Sequence, residues 1–400
     1  MTFSWNKIYF LPIIIGLILV SANRTIYADG TTPLTNDGKK WKLGYYEGGP
    51  YINYPLHLRA LVDGLVQLGW MEKVSVPNLE EIALELMEHK VKNIDANNSI
   101  LIWKWLARHA KSKYIQFVDN ACWSANWDKA LRRKNQKEVI ERLKKKDVDL
   151  IIATGTWAGQ DIANNEHSVP TMVMSTSDPV GAKIIKSHKD SGYDHVTAMC
   201  DPSRYIRQVR LFHGIIGFKK LGVVYENTLE GRAYASVNDI EQVARERDFE
   251  VIYCKAPFSG VAKRESTEAV IKCHTELAPK VDALYVTVHR GISVDNMSEI
   301  LKPLVKHKIP TFSQRGILEV KYGVLYCVDR ESFNNLGKSY SKIIAKILNG
   351  TKPRDLNQIF VEPKKIVINL KTAKMIGYDP PPNILKVADI IYSEIMNDHE

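Results

Sequence analysis

An α/β fold of two doubly wound, parallel-sheet lobes is predicted by three observations. The first is the stretch from Asp147 to Ile185, which reads strand, glycine-containing turn, helix, strand and polar turn. The second is that units of this kind recur in two series, roughly 41–177 and 205–312, with further elements after them. Alternating β and α units build parallel sheets. The third is size: 400 residues at 45% hydrophobic content suit two buried cores.

In the opening stretch, Asp149 to Ala153 is an apolar, β-branched run of the kind buried on both faces of a sheet. Thr154-Gly155-Thr156 supplies a tight turn and a hydroxyl cap, and Trp157 to Asn164 can begin a helix. After Pro170 a second strand, Thr171 to Met174, ends in the polar turn Ser175-Thr176-Ser177-Asp178-Pro179. Both turns fall at the carboxyl edge of a sheet, where open α/β proteins bind ligands.

Earlier in the chain, Trp41 to Tyr46 reads as a first strand, turning through Glu47-Gly48-Gly49-Pro50-Tyr51. A helix starts near Pro55, where the missing N–H costs nothing, and Gly69 ends it. Residues 77–113 read as mainly helical in two pieces, with Trp103 and Trp105 as packing residues, and Tyr114 to Asp119 as a strand. A helix over 135–146 leads back to the central stretch.

In the second series, Tyr205 to Phe218 is helical and Lys220 to Tyr225 a strand, turning at Glu226-Asn227-Thr228. Strands follow at Val251–Tyr253, Asp282–Val286 and Ile309–Phe312, the middle one running into Thr287-Val288-His289-Arg290-Gly291. Gly323 to Val328 is a strand ending at Asp329-Arg330. The helix after it puts Phe333, Leu336, Tyr340, Ile343, Ile344 and Ile347 on one face. Phe360 to Leu370 alternates as a last strand.

The N-terminus has the pattern of a secretory signal: Lys7, an apolar run from Ile8 to Val20, then Ile26-Tyr27-Ala28, with cleavage after Ala28. The run is short for a membrane span, which is the alternative. Removing residues 1–28 takes Lys7 and Arg24 and no acids, so the net charge falls from +10 to +8. The basic runs Arg132-Arg133-Lys134 and Lys144-Lys145-Lys146 flank an amphipathic helix and read as a solvated face rather than a nucleic-acid patch. Five scattered cysteines show no metal spacing. Cys254 and Cys273 can pair, but the set reads mainly as small buried hydrophobes.

Enzyme chemistry finds little support. Residues 155–159, G-T-W-A-G, have the spacing of a nucleophile elbow with Trp157 where a Ser or Cys is required. No P-loop, H-E-x-x-H or dinucleotide fingerprint occurs. Binding chemistry fits better. Helix N-termini facing a cleft favour an anion, and Thr154, Gly155 and Thr156 are the best anchor for one. Ser177 stands in the next turn, and Asp178 suits an ammonium or simply forms its own turn. Tyr45, Tyr46 and Trp157 offer an aromatic wall beside Glu47, or core packing. Asn227, Thr228, His289, Arg290 and Asp329 complete the turns, with Arg290 able to pair a carboxylate or a surface acid.

Thr176-Ser177-Asp178-Pro179-Val180-Gly181-Ala182 resembles the T-D-P-V-G-A motif of the ABC transporter substrate-binding family that includes tryptophan/tyrosine-type binding proteins. So do Ile152 to Thr156, Ile347 to Pro353 and Val367 to Ala373, in the same order along nearly all of residues 41–390. The resemblance implies two Rossmann-like lobes of the type I periplasmic binding protein fold, joined by three crossings. These are placed near Ser177–Ala182, Ser313–Gly316 and Asn357–Val361. The first lobe is then 41–177 with 316–357, carrying a helical insertion at about 75–113, and the second 178–315 with 358–395.

The implied function is capture of an amino-acid-like or small carboxylate or aromatic ligand, and its delivery to an ABC permease and ATPase. The protein is then periplasmic, monomeric, not an enzyme, and free of cofactor, metal and nucleic acid. The alternatives are a stand-alone sensor for a membrane receptor kinase and a cryptic α/β enzyme.

Overall fold

In a computed structural model the described residues are Met1, 30–88, 98–330, 333–361 and 364–396. The expected signal segment lies outside them. Near the start of the chain come strand β1 (Trp41–Glu47), helices α1 (Tyr54–Gln67), α2 (Leu79–Glu88) and α3 (Asn98–His109), and strand β2 (Ile115–Ser124). Then follow α4 (Lys129–Lys144), β3 (Leu150–Thr154), α5 (Thr156–Ile162), β4 (Thr171–Met174) and β5 (Val196–Ala198). These five strands form one wholly parallel sheet, in the order β2-β1-β3-β4-β5.

The second lobe runs through α6 (Arg204–Ile216), β6 (Lys220–Tyr225), α7 (Leu229–Tyr234), α8 (Val237–Arg247), β7 (Glu250–Lys255), α9 (Lys263–Leu277) and β8 (Ala283–Val286). It continues with α10 (Met297–Lys306), β9 (Thr311–Ser313), α11 (Ile317–Lys321) and β10 (Tyr326–Arg330). After α12 (Phe333–Leu348) come β11 (Lys364–Asn369), α13 (Leu370–Ile376), α14 (Pro382–Val387) and β12 (Ile390–Tyr392). The seven-stranded order is β12-β11-β10-β9-β8-β6-β7, parallel except where β11 meets β10.

Each sheet is covered on both faces. Leu43 and Tyr45 face one apolar cluster of the first lobe and Tyr46 the other, as successive strand residues must. Helices α2 and α3, the expected insertion, add Ile82, Leu86 and Trp103 to the first of these clusters. Trp103 stacks on Tyr45 with ring centroids 5.3 Å apart. Helix α12 returns to the first lobe and lies against α1, where a Cβ on Gly337 would fall 2.1 Å from the Ala60 carbonyl oxygen. Cys254 and Cys273 are joined in a disulfide within the second lobe, while Cys122, Cys200 and Cys327 are free.

Two of the expected crossings move. β5 pairs with β4, so the chain leaves the first lobe after Ala198 and not near Ser177–Ala182. Residues 178–198 therefore belong to the first lobe, with Ala182, Ile184 and Ile185 in its core. β10 pairs with β9 in the second sheet, so the return follows Arg330 rather than Ser313–Gly316. Each sheet continues past the turn that resembles its end: the first by the edge strand β5, the second by β10, which is followed in that sheet by β11 and β12. The third crossing runs beside the first: Cys200 N–H donates to the Gln358 carbonyl at 2.8 Å, and Phe360 N–H to the Cys200 carbonyl at 2.9 Å.

Candidate functional site: a cleft between the lobes

The strand ends of the two sheets face each other across a cleft of about 1000 Å³, including solvent at its mouth. The first lobe contributes Tyr51 and Asn53 from the loop after β1, Tyr54 and His57 from α1, Trp127 after β2, Thr156 at the start of α5, and Ser175 to Ser177 after β4. The second contributes Arg204 and Tyr205 at the start of α6, Tyr234 on α7, Phe258 after β7, and Gln314 and Arg315 after β9. Asp201, Phe360 and Lys364 border the crossings. Ligand-binding edges of open α/β sheets lie at such strand ends.

Local geometry fixes the first-lobe wall. Gly155, at φ +85°, lets the chain turn into α5, and a Cβ there would fall 1.8 Å from the Tyr54 hydroxyl. Ser175 follows β4 in the left-handed region, at φ +58°. Its Oγ lies 3.1 Å from His57 Nε2, whose ring Nδ1 is 2.9 Å from the Tyr340 hydroxyl on α12. Trp127 donates from Nε1 to the Pro50 carbonyl and meets Phe258 of the other lobe edge-on, centroids 5.0 Å apart. Gly260 N–H of the second lobe also donates to the Trp127 carbonyl at 3.2 Å. The lobes are thus in contact beside the cleft, closed around Trp127.

Charge sits on the second-lobe side. Arg315 is held by Glu319, Nε to Oε1 2.8 Å, and donates to the Ile292 carbonyl. Its guanidinium also lies 5.9 Å from the Tyr51 ring centroid, across the cleft. Asp201 is paired with Arg207 at 2.6 Å and with Lys364 at 3.4 Å. The Arg204 side chain has no hydrogen bond or ion pair among the described residues, and its guanidinium carbon lies 5.2 Å from the Tyr205 ring centroid. Burial opposes its charge, but Tyr205 and Asp329 outweigh that and hold the guanidinium above its ordinary pKa. Two buried hydroxyls on the cleft, Thr176 Oγ1 and Tyr234 Oη, have no partner among the described residues. Buried polar groups are ordinarily satisfied, so these are natural contacts for a bound solute. Burial pushes the Tyr51 phenol up to about 12, so it stays neutral and can donate.

Of the fourteen residues singled out in the sequence, Thr156 and Ser177 line this cleft. Tyr45, Tyr46 and Glu47 are fully buried in the first lobe, Tyr45 donating to Glu47 at 2.7 Å and Tyr46 to Asp161 at 2.6 Å. Thr154 and Gly155 lie beneath the wall rather than on it. Trp157 and Thr228 border a second cavity, where the Arg132 guanidinium lies 4.6 Å from the Trp157 ring centroid. Asp178 accepts from Gly181 N–H at 2.7 Å, which is the turn-forming role. Asn227 accepts from the Tyr225 hydroxyl, and Thr228 caps α7.

The remaining three are also engaged by the protein itself. His289 is buried, donates to the Ala256 carbonyl and is pushed down to about 4 by burial, so it is neutral. Arg290 donates to the Val261 carbonyl at 2.7 Å, and Asp329 accepts from Ile317 N–H at 2.7 Å. The sequence reading missed Arg204, Trp127, Tyr54, Tyr234 and Arg315. One signal existed for Arg204: a cation opening a helix whose first turn holds no acid, against the helix dipole.

Two parallel-sheet lobes, three crossings and a cleft lined from both sides define the class: a type I periplasmic binding protein. The particular family follows from the sequence. The model of the family described as ABC transporter substrate binding protein matches residues 118–391, more than half the chain, and the chain belongs to that family. A tyrosine-binding protein of Clostridioides difficile (strain R20291) is 27% identical over 228 residues, covering 56% of this chain and 62% of the relative. The chain thus aligns with less than two thirds of that relative's length.

Solved structures agree in fold. A conserved domain protein from Vibrio cholerae superposes with TM-score 0.64 at 18% identity, over 88% of this chain and 100% of that one. An ABC domain in complex with L-Trp from Streptococcus pneumonia gives 0.62 at 20% identity, over 87% and 99%. A ligand-free, open substrate-binding protein from Clostridium difficile gives 0.53 at 19% identity, over 88% and 100%. Among the described residues no helix is long and apolar enough to cross a membrane, and no group of three or more His, Cys, Asp or Glu is placed to hold a metal.

Proposed function

We propose that this protein is an exported solute-binding protein that takes an aromatic, carboxylate-bearing small molecule into the interlobe cleft and delivers it to an ABC import permease. The observation that carries the reading is the union of a neutral aromatic wall with one unpartnered cation. Tyr51, Tyr54, Trp127, Tyr205, Tyr234 and Phe258 offer flat apolar faces, and Arg204 offers a guanidinium with no acceptor among the described residues. Thr156 and Ser177 add hydroxyls to the same wall. Tyrosine and L-Trp belong to the names of the two relatives above, and an aromatic carboxylate is common to both. The mature chain acts as a monomer in the periplasm, begins near Asp29, and returns its ligand unchanged.

A thermal-shift screen of the mature protein against amino acids, aromatic carboxylates, amines and nucleosides tests this. A ligand at a hundred times its Kd adds about 2.7 kcal/mol of stability. A shift confined to aromatic compounds supports the proposal. A shift confined to nucleosides or amines, or recovery of a converted product, overturns it.

A further inference from the structure

We infer that the cleft selects an aromatic carboxylate lacking an α-ammonium, in preference to the corresponding zwitterionic amino acid. The inference rests on the proposed aromatic-ligand function and concerns the charge of that ligand. Among the described residues, the charged groups lining the cleft are Asp201, Arg204, Arg315 and Lys364: one acid against three bases. The acid is spent. Asp201 Oδ1 accepts from Ser203 N–H at 3.3 Å and from the Ser203 hydroxyl at 3.4 Å. Its Oδ2 takes Arg207 at 2.6 Å and Lys364 at 3.4 Å. A carboxylate has about four acceptor positions, and all four are used. Glu319, next to the cleft, is likewise committed to Arg315 and to the Ser313 hydroxyl.

The cation is in the opposite condition. Arg204 is the first residue of α6, so its guanidinium and the positive end of a thirteen-residue helix act on the same volume. No acid stands in that helix's first turn, and Ser203 makes no side-chain cap. Tyr51 opposite is a neutral phenol that can donate to an anion, and Tyr205 lines the cleft beside Arg204. A carboxylate entering here gains a charge-assisted pair with no ion pair to break. Among the described residues lining the cleft, an ammonium entering with it finds no open carboxylate, sits in the field of Arg204 and Arg315, and must give up its water.

The test uses three compounds sharing one ring: L-tyrosine, 3-(4-hydroxyphenyl)propionate and tyramine, with the phenyl and indolyl series run alongside. Calorimetric titration of the mature protein is expected to show the propionate binding at least about tenfold more tightly than the amino acid, with tyramine not binding. R204Q is expected to weaken the propionate at least about tenfold while leaving the melting temperature of the free protein within a degree or so. Amino acid binding as tight as or tighter than the propionate overturns this inference and leaves the aromatic-ligand function standing. So does propionate binding that R204Q does not change. Failure of every acid and amino acid in all three series overturns the proposed function, and the inference falls with it.

Discussion

The two walls of the cleft are built on different principles. Among the described residues the first-lobe wall carries no carboxylate, lysine or arginine, and backbone geometry shapes it: Gly155 at φ +85°, Ser175 at φ +58° and Trp127 at φ +59°. The second-lobe wall carries Arg204 and Arg315, and ion pairing shapes it, through Glu319 on α11. The charge at the cleft thus comes from the second lobe, while both lobes supply aromatic faces. A solute satisfies both only when the lobes meet, so its binding energy can favour closure.

The largest expected effect breaks the charged wall. Glu319→Gln removes the partner of Arg315 in a pair whose side chains are 3% and 11% exposed. Removing one partner of a buried pair costs about 3–5 kcal/mol. Urea unfolding checks it, and a variant as stable as the parent would mean that Arg315 is solvated. The next largest breaks the neutral wall. Gly155→Ala must place a Cβ against the Tyr54 hydroxyl from a left-handed backbone, and is expected to cost about 2–3 kcal/mol. Displacement of Tyr54 should weaken ligand binding at the same time, whereas a loss of stability alone would place Tyr54 outside the contact.

A smaller change sharpens the contrast. Tyr234→Phe deletes a buried hydroxyl that has no partner among the described residues. The free protein should keep or slightly gain stability, while a ligand that uses the hydroxyl should bind about 1 kcal/mol more weakly. Equal affinity for parent and variant would show that the phenol is only wall.

Much of the fold was legible because long apolar runs and strand-end turns mark a parallel sheet whichever residues contact the ligand. The site was less legible, for physical reasons. Tyr45 and Tyr46 lie on a strand buried on both faces, so alternation does not tell which side meets a ligand. Trp127 reaches the cleft through a left-handed residue after β2, which no periodicity announces. Arg204 depends on where the first crossing falls, and that depends on the added edge strand β5. Thr156 and Ser177 were found because their turns follow directly from adjacent strands.

A pH dependence is also expected where Asp178 of one lobe faces Asp239 of the other. Burial first, and then the Asp178 carboxylate of the first lobe, push Asp239 of the second up to about 7 from an ordinary 3.8. A raised folded-state pKa favours folding while the group is protonated. This contribution is therefore present at acid pH and is lost as pH rises from about 4 through about 7. Asp239 is only partly buried, so the effect is moderated by solvent. Asp239→Asn should flatten this part of the stability profile, and an unchanged profile would exclude Asp239 as its source.

Closure is the step on which the account depends, and solution scattering reads it directly. With a ligand identified by the screen, the parent protein is expected to lose radius of gyration on saturation. Trp127→Ala, lacking the ring that bridges to Tyr234 and Phe258, should close less completely at the same occupancy. A saturating ligand that leaves the parent's radius of gyration at its ligand-free value would contradict capture between the lobes.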